Sequence, residues 1–300
     1  MTIPDRAAAS VTEEQARREI ARLDARAAKQ RVVWQGRDVV WRRFGDGPPL
    51  VLIHGGHGSW LHWIRNIEVL AQRHTLWLPD LPGFGDSDEL DLAAHALDRM
   101  QHLTDALAGS LDSLVGEDTQ IDLAGFSFGG LAAAHLAALR GGIRRMALLG
   151  PAGHGGTRRQ PVAMADWRLP DRDAMRAALR HNLAALMLHH PLVDDALAIT
   201  VHEQCCIQTR FRSKAISRSA SLKSTLDRYS YPLLLIWGEH DVTGTPEELV
   251  QQLAEGHPGR DWCVVPNAGH WVQYERSDDI NRLLLSWFGD GAAVAAMPVG

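Results

Sequence analysis

Cysteine is scarce in this sequence: Cys205, Cys206 and Cys263 are the only three in 300 residues. An odd count with two adjacent residues suits a reducing compartment better than a disulfide framework. None of the three sits in a glycine-rich turn, which argues against a cysteine nucleophile, and no metal-ligand spacing is present, so no metal is expected. No apolar run is long enough to span a bilayer. The first residues carry acids rather than an apolar leader segment, so no signal peptide is expected and the reading is a cytoplasmic protein with no membrane partner. A basic stripe is also missing. With a net charge of −5, and with Arg17-Arg18, Arg42-Arg43 and Arg158-Arg159 short, scattered and read as solvated surface, nucleic acid is not an expected partner.

What is present is ordinary for a globular enzyme: 45% hydrophobic and 22% charged residues. A chain of this length buries roughly three quarters of its unfolded surface without disulfide or metal support. Residues 1–30 read as a polar, Ala-rich helical arm, with Thr12 and Gln15 forming a capping box and Ile20 and Leu23 a narrow apolar stripe. This arm is expected to pack loosely.

From residue 31 the period changes. Arg31 to Trp34 and Asp38 to Trp41 read as antiparallel strands about a Gln35-Gly36-Arg37 turn. Continuous apolar runs follow at Pro49 to Ile53, Thr75 to Pro79, Ile121 to Gly125, Met146 to Gly150, Pro232 to Trp237 and Trp262 to Pro266, as strands buried on both faces require. Helical patterns from Asp91 to Leu114, Gly129 to Leu139, Glu247 to Glu255 and Asp278 to Phe288 separate or close them. The alternation predicts an α/β fold with a doubly wound, mostly parallel sheet. Between Gly150 and Pro232 lie about eighty residues without a strand, too many for a plain loop. They carry helical patterns at Asp173 to His189 and Asp194 to Gln208. Residues 153–229 are therefore read as a helical cap inserted between core segments 31–152 and 230–290, with a flexible tail at 291–300.

The strongest chemical signal is Gly125-Phe126-Ser127-Phe128-Gly129, which follows a buried strand and opens a small-residue helix. That context is what a nucleophile elbow needs: a tight turn with Ser127 at its tip and free N–H groups of a helix start behind it. A serine hydroxyl needs a base, and in such a fold the partners follow in the order Ser, acid, His. Asp241, just past the strand ending at Trp237, is the preferred acid, with Glu239 the alternative. Of 15 histidines, His270 is singled out by its place in the loop after the last strand. Two N–H donors for a developing oxyanion are assigned to Phe128 and Gly56, with His57 second to Gly56. His54 reads as a structural histidine and Asp80 to Ser87 as a structural turn. His57, Trp60, Phe126, Arg210 and Trp271 are candidate substrate contacts.

Together, His54-Gly55-Gly56, Asp80-Leu81-Pro82-Gly83-Phe84-Gly85-Asp86-Ser87, the Ser127 turn, Gly238-Glu239-His240-Asp241 and Gly269-His270-Trp271 resemble the α/β-hydrolase superfamily over residues 32–288. Gly269 to Glu275 resembles the meta-cleavage-product hydrolases, which cut a carbon–carbon bond in dienol diketo acids. That resemblance implies a pocket under the cap, no cofactor, and a cap arginine gripping a carboxylate, for which Arg210 and Arg212 are available. Phe126 stands where those hydrolases usually have Asn, and esterases of the superfamily tolerate an apolar residue there. The resulting expectation is a serine hydrolase acting on a small-molecule carboxylic ester or related acyl compound. The alternatives are a carbon–carbon hydrolase and a non-catalytic binding member of the fold. A homodimer is compatible with the sequence.

Overall fold

The computed structural model describes residues 11–289, apart from 92, 94, 95, 160 and 191–194. The expected tail at 291–300 and the first ten residues of the arm lie outside the described residues. In chain order the elements are α1 (Glu13–Arg26), β1 (Ala28–Trp34), β2 (Arg37–Phe44), β3 (Pro49–Ile53), α2 (Ile67–Leu70), β4 (Thr75–Pro79), α3 (Arg99–Val115), β5 (Ile121–Phe126), α4 (Phe128–Arg140) and β6 (Ile143–Leu149). Then come α5 (Arg172–Asn182), α6 (Ala196–Ile207), α7 (Lys214–Ser217), α8 (Leu222–Leu226), β7 (Leu233–Gly238), α9 (Pro246–Leu253), β8 (Arg260–Val265), α10 (Val272–Glu275) and α11 (Ser277–Phe288).

The eight strands form one sheet in the order β1-β2-β4-β3-β5-β6-β7-β8. β1 and β2 pair antiparallel, β2 meets β4 antiparallel, and every later pairing is parallel. The apolar runs are continuous because alternate residues enter two different cores. Leu123, Met146, Leu148 and Leu235 point into one, while Ala124, Ala147, Leu149 and Ile236 point into the other. The register places Leu148 beside Leu235 and Leu149 beside Ile236. Each such leucine or isoleucine, fully buried, contributes about 1.5–3 kcal/mol.

Several boundaries differ from the sequence reading: β2 runs on to Phe44, β6 begins at Ile143 and β8 at Arg260. The helix expected from Asp91 begins at Arg99, and residues 92, 94 and 95 of the expected span lie outside the described residues. Strand β1 begins at Ala28, inside the segment read as arm.

The arm itself is well packed. Its capping box forms between Thr12 and Gln15, and Ala16, Ile20 and Leu23 are buried. Its charges explain the attachment. Asp24 accepts from Arg42, whose buried guanidinium also meets Asp80 at 3.0 Å and Asp86 at 2.6 Å. At the other end Glu13 meets Arg172 at 2.6 Å, and Arg172 also donates to buried Glu203 at 3.0 Å. A helix that reads as polar in isolation is held by ions whose partners lie far along the chain. Residues 150–232 carry α5 to α8 and no strand among the described residues, with a wider helical turn at Leu183–Met187 extending α5. No helix among the described residues is long and apolar enough to cross a membrane.

Candidate active site

Ser127 sits between β5 and α4 with φ 54° and ψ −118°, a left-handed conformation that costs a non-glycine residue on the order of 1–3 kcal/mol. The surrounding packing enforces it. A Cβ at Gly125 would lie 2.4 Å from the Gly129 carbonyl oxygen, and one at Gly129 would lie 2.2 Å from that of His54. With both side chains absent, α4 closes directly onto the strands, and the Ser127 N–H is fixed to Leu149 O at 2.9 Å. The serine side chain is pushed out at the tip.

His270 lies in the loop between β8 and α10. Glu275 holds this loop by accepting from Gly269 N at 2.7 Å and His189 N at 3.1 Å, while Trp271 N donates to Met187 O at 2.7 Å. The imidazole Nε2 is 2.9 Å from Ser127 Oγ, and Nδ1 is 2.8 Å from Asp241 Oδ2. Carboxylate contact at Nδ1 assigns the proton there and leaves Nε2 to accept the serine O–H. Asp241 is fully buried. Burial pushes its carboxyl up, but His270 and the Thr243 hydrogen bonds outweigh this and hold it below the ordinary aspartate value. Thr243 supplies its N–H at 2.8 Å and its hydroxyl at 2.7 Å, both to Oδ1. Glu239, the alternative acid, instead accepts from Asn267 N at 3.0 Å and is exposed. The structure brings Asp241 to His270, not Glu239.

Gly56 and His57 follow β3. A Cβ at Gly56 would lie 3.7 Å from Phe128 Cβ and 2.7 Å from Ser213 Oγ, so the loop and the start of α4 face each other closely. His57 adopts φ 51°. Phe128 is the first residue of α4, where a backbone N–H has no intrahelical acceptor. His54 is a buried brace: its Nδ1–H donates to Gly55 O at 2.8 Å and its Nε2 accepts from Leu81 N at 3.0 Å. Burial keeps it neutral. The turn from Asp80 to Ser87 is structural in the same sense. Asp80 accepts from Trp60 N and Asp86 N at 3.0 Å each, and the Ser87 hydroxyl accepts from Val40 N at 2.8 Å.

Ser127 opens into a cavity of about 450 Å³ roofed by residues of the α5 to α8 segment, including Met187, His202 and Ser213. Of the sequence-derived contacts, His57 and Phe126 line it. The Phe126 ring stands 5.0 Å from that of His270.

The other three candidate contacts are corrected by the structure. Trp60 is buried behind the loop, stacked on Phe44 under the Arg42 guanidinium. Trp271 is fully buried, stacked on Tyr274, with its indole N–H donated to His62 O at 3.0 Å. Arg210 turns instead to the carbonyls of Ser87 and Gln208, with the Glu89 carboxylate 3.4 Å away. Arg212 is exposed and does not line the cavity.

Sequence reasoning did not single out Thr243 or Ser213. Thr243 was detectable: an aspartate bonding the N–H two residues on is a common turn device. Ser213 had no local signal, since its place beside Gly56 is set by the tertiary fold. Burial raises the Cys205 thiol to about 12, which removes it as a nucleophile near neutral pH.

An eight-stranded, mostly parallel sheet with a serine turn after its fifth strand, and acid and histidine loops after its seventh and eighth, defines an α/β hydrolase. Residues 50–283 match the Alpha/beta hydrolase family, and the chain belongs to that family as an enzyme of the hydrolase class. It is 29% identical over 266 residues to a 2-hydroxy-6-oxo-6-phenylhexa-2,4-dienoate hydrolase of Burkholderia cepacia, a match covering 82% of this chain and 90% of that one. Its fold is similar to that of a meta-cleavage product hydrolase from Pseudomonas fluorescens IP01, with a TM-score of 0.71, 23% identity, and coverage of 87% and 97% of the two chains. An esterase from Rhodococcus sp. ECU1013 aligns with a TM-score of 0.72 and 21% identity, over 88% of this chain and 99% of its own.

Proposed function

We propose that this hydrolase cleaves a small carboxylic ester, or a related acyl compound, through an acyl-enzyme on Ser127. The observation that carries the proposal is the unbroken chain from Ser127 Oγ through His270 to Asp241 at the floor of a cavity. Ser127 Oγ bonds to the substrate carbonyl carbon as its proton passes to His270 Nε2, and Asp241 holds the imidazolium that results. The N–H groups of Gly56 and Phe128 take the oxyanion. The C–O bond then breaks and His270 returns the proton to the leaving alcohol. Water, activated by the same histidine, releases the acid and regenerates the serine. Residues 153–229 act as the cap that shapes the acyl site.

Carbon–carbon cleavage is the second reading, favoured by the Burkholderia cepacia relative. The ester reading is preferred because Phe126 presents an apolar ring to the cavity, while Arg158, Arg168 and Arg218, which also line it, are the cations that would serve a carboxylate in the second reading. The test is turnover of p-nitrophenyl acetate, butyrate and octanoate beside 2-hydroxy-6-oxo-6-phenylhexa-2,4-dienoate, with His270→Ala as control. Ester turnover that disappears in the variant supports the proposal. Exclusive turnover of the dienoate replaces it with the second reading.

A further inference from the structure

The adjacent arginines Arg158 and Arg159, which read in sequence as solvated surface, have different surroundings. Arg159 is consumed by the fold: it donates to Gly244 O at 3.0 Å, Glu239 O at 3.2 Å and Asp241 O at 3.1 Å. The Arg158 guanidinium has no hydrogen-bond or ion-pair partner among the described residues, and neither does that of Arg218. Both line a second cavity of about 380 Å³ with His154, Gly155, Gly156 and Ser217. His154, Arg158, Ser217 and Arg218 also line the Ser127 cavity, so the two adjoin along a shared wall. Burial, and then the neighbouring charge of Arg218, push the Arg158 guanidinium below its ordinary value, against the opposing charge of Asp241. Two cations have been set together with no carboxylate in hydrogen-bond or ion-pair contact among the described residues.

The rest of this chamber adds donors and no acid. Across the described linings of both cavities the single carboxylate is Asp166, which belongs to the larger one, and its Oδ1 accepts the Arg168 N–H at 3.1 Å. Gly153 and Gly155 take φ 79° and 70°, which bends the turn so that exposed glycine backbone faces the chamber. His154 fixes that turn through Nδ1, which accepts Gly156 N at 2.9 Å, and burial keeps the ring neutral. The Ser217 hydroxyl is a further potential donor at the wall.

We propose that Arg158 and Arg218 form a subsite for a phosphoryl dianion carried by the substrate at a distance from the cleaved bond. A phosphoryl group brings about −1.5 to −2 charge and three acceptor oxygens. It neutralises both guanidiniums and uses several donors, where a carboxylate leaves one positive charge over. Guanidiniums bind such groups through paired N–H donors. As a statement about substrate, the subsite rests on the reading of Ser127 as nucleophile; as a binding site, it is tested without that chemistry.

The test is calorimetric titration of Ser127→Ala protein with phenylphosphonate and with benzoate, repeated with Arg158→Gln, Arg218→Gln and the two together. Phenylphosphonate is expected to bind roughly tenfold more tightly than benzoate, and the double substitution to weaken it by roughly tenfold or more. Thermal melts of each variant verify folding. Equal affinity for the two probes, or phenylphosphonate binding unchanged by the double substitution, overturns the proposal. Neither probe contains an ester, so failure of the acyl-enzyme reading leaves this result standing, and the reverse also holds.

Discussion

Thr243 donates both its backbone N–H and its hydroxyl to Oδ1 of Asp241, leaving Oδ2 to His270. One residue thus fixes the rotation of the acid and supports its charge in a fully buried place.

Replacing that hydroxyl weakens the support without disturbing the backbone bond. Thr243→Val is expected to lower kcat/KM roughly tenfold, the loss associated with one hydrogen bond to a charged group. The sign of the pH effect follows from Asp241, whose carboxyl is held below its ordinary value. Removing a donor raises it, so the activity lost through protonation of Asp241 is lost at a higher pH. Thr243→Ser restores both. A pH–rate profile that differs from wild type only in height contradicts the assignment.

Gly56 is the second structural pressure point. Gly56→Ala places a methyl 2.7 Å from Ser213 Oγ and 3.7 Å from Phe128 Cβ. Serine can rotate its hydroxyl away, so folding suffers little, but the methyl crowds the contact between the Gly56 loop and the start of α4, the two segments whose N–H groups are assigned to the oxyanion. The expected result is a loss in kcat of roughly tenfold or more with the melting temperature nearly unchanged. Unchanged kcat in Gly56→Ala places the oxyanion elsewhere.

Buried histidines set the acid stability of the protein. His202, beside Cys206 on the roof of the Ser127 cavity, is pushed down to about 3 by burial, with the charge of His57 adding to the effect. Below pH 6.5 the unfolded chain binds a proton there that the folded chain refuses, so stability falls as pH drops from about 6.5 toward 3. Between pH 7.5 and 5 this amounts to ~2 kcal/mol. His62, lowered by burial in the same way, adds to the fall. Urea denaturation of His202→Leu at both pH values is expected to show a smaller loss than wild type. Equal losses contradict it.

Much of the fold was legible because short continuous apolar runs set between helical patterns fit strands buried on both faces. Leu148 and Leu149 face opposite cores, so both had to be apolar and the strand announced itself. Ser127, Asp241 and His270 were legible because the chemistry demands a turn after a strand at each position. The contacts under the helical segment were not. Trp60 and Trp271 flank the right loops, yet their rings enter the core, because a strand-end loop does not state which way its side chains turn. Arg158 and Arg159 are indistinguishable in sequence and opposite in the fold. The ion pairs of α1 join Glu13 to Arg172 and Asp24 to Arg42, partners that local pattern cannot match.

The most direct measurement is reaction of the protein with a fluorophosphonate, with the adduct located by mass spectrometry and Ser127→Ala as control. A serine deprotonated by His270 attacks the phosphorus and displaces fluoride, so a single adduct on Ser127, absent in the variant, is predicted. An unmodified Ser127, or an adduct of equal yield on another residue, contradicts the assignment of Ser127 as the activated nucleophile.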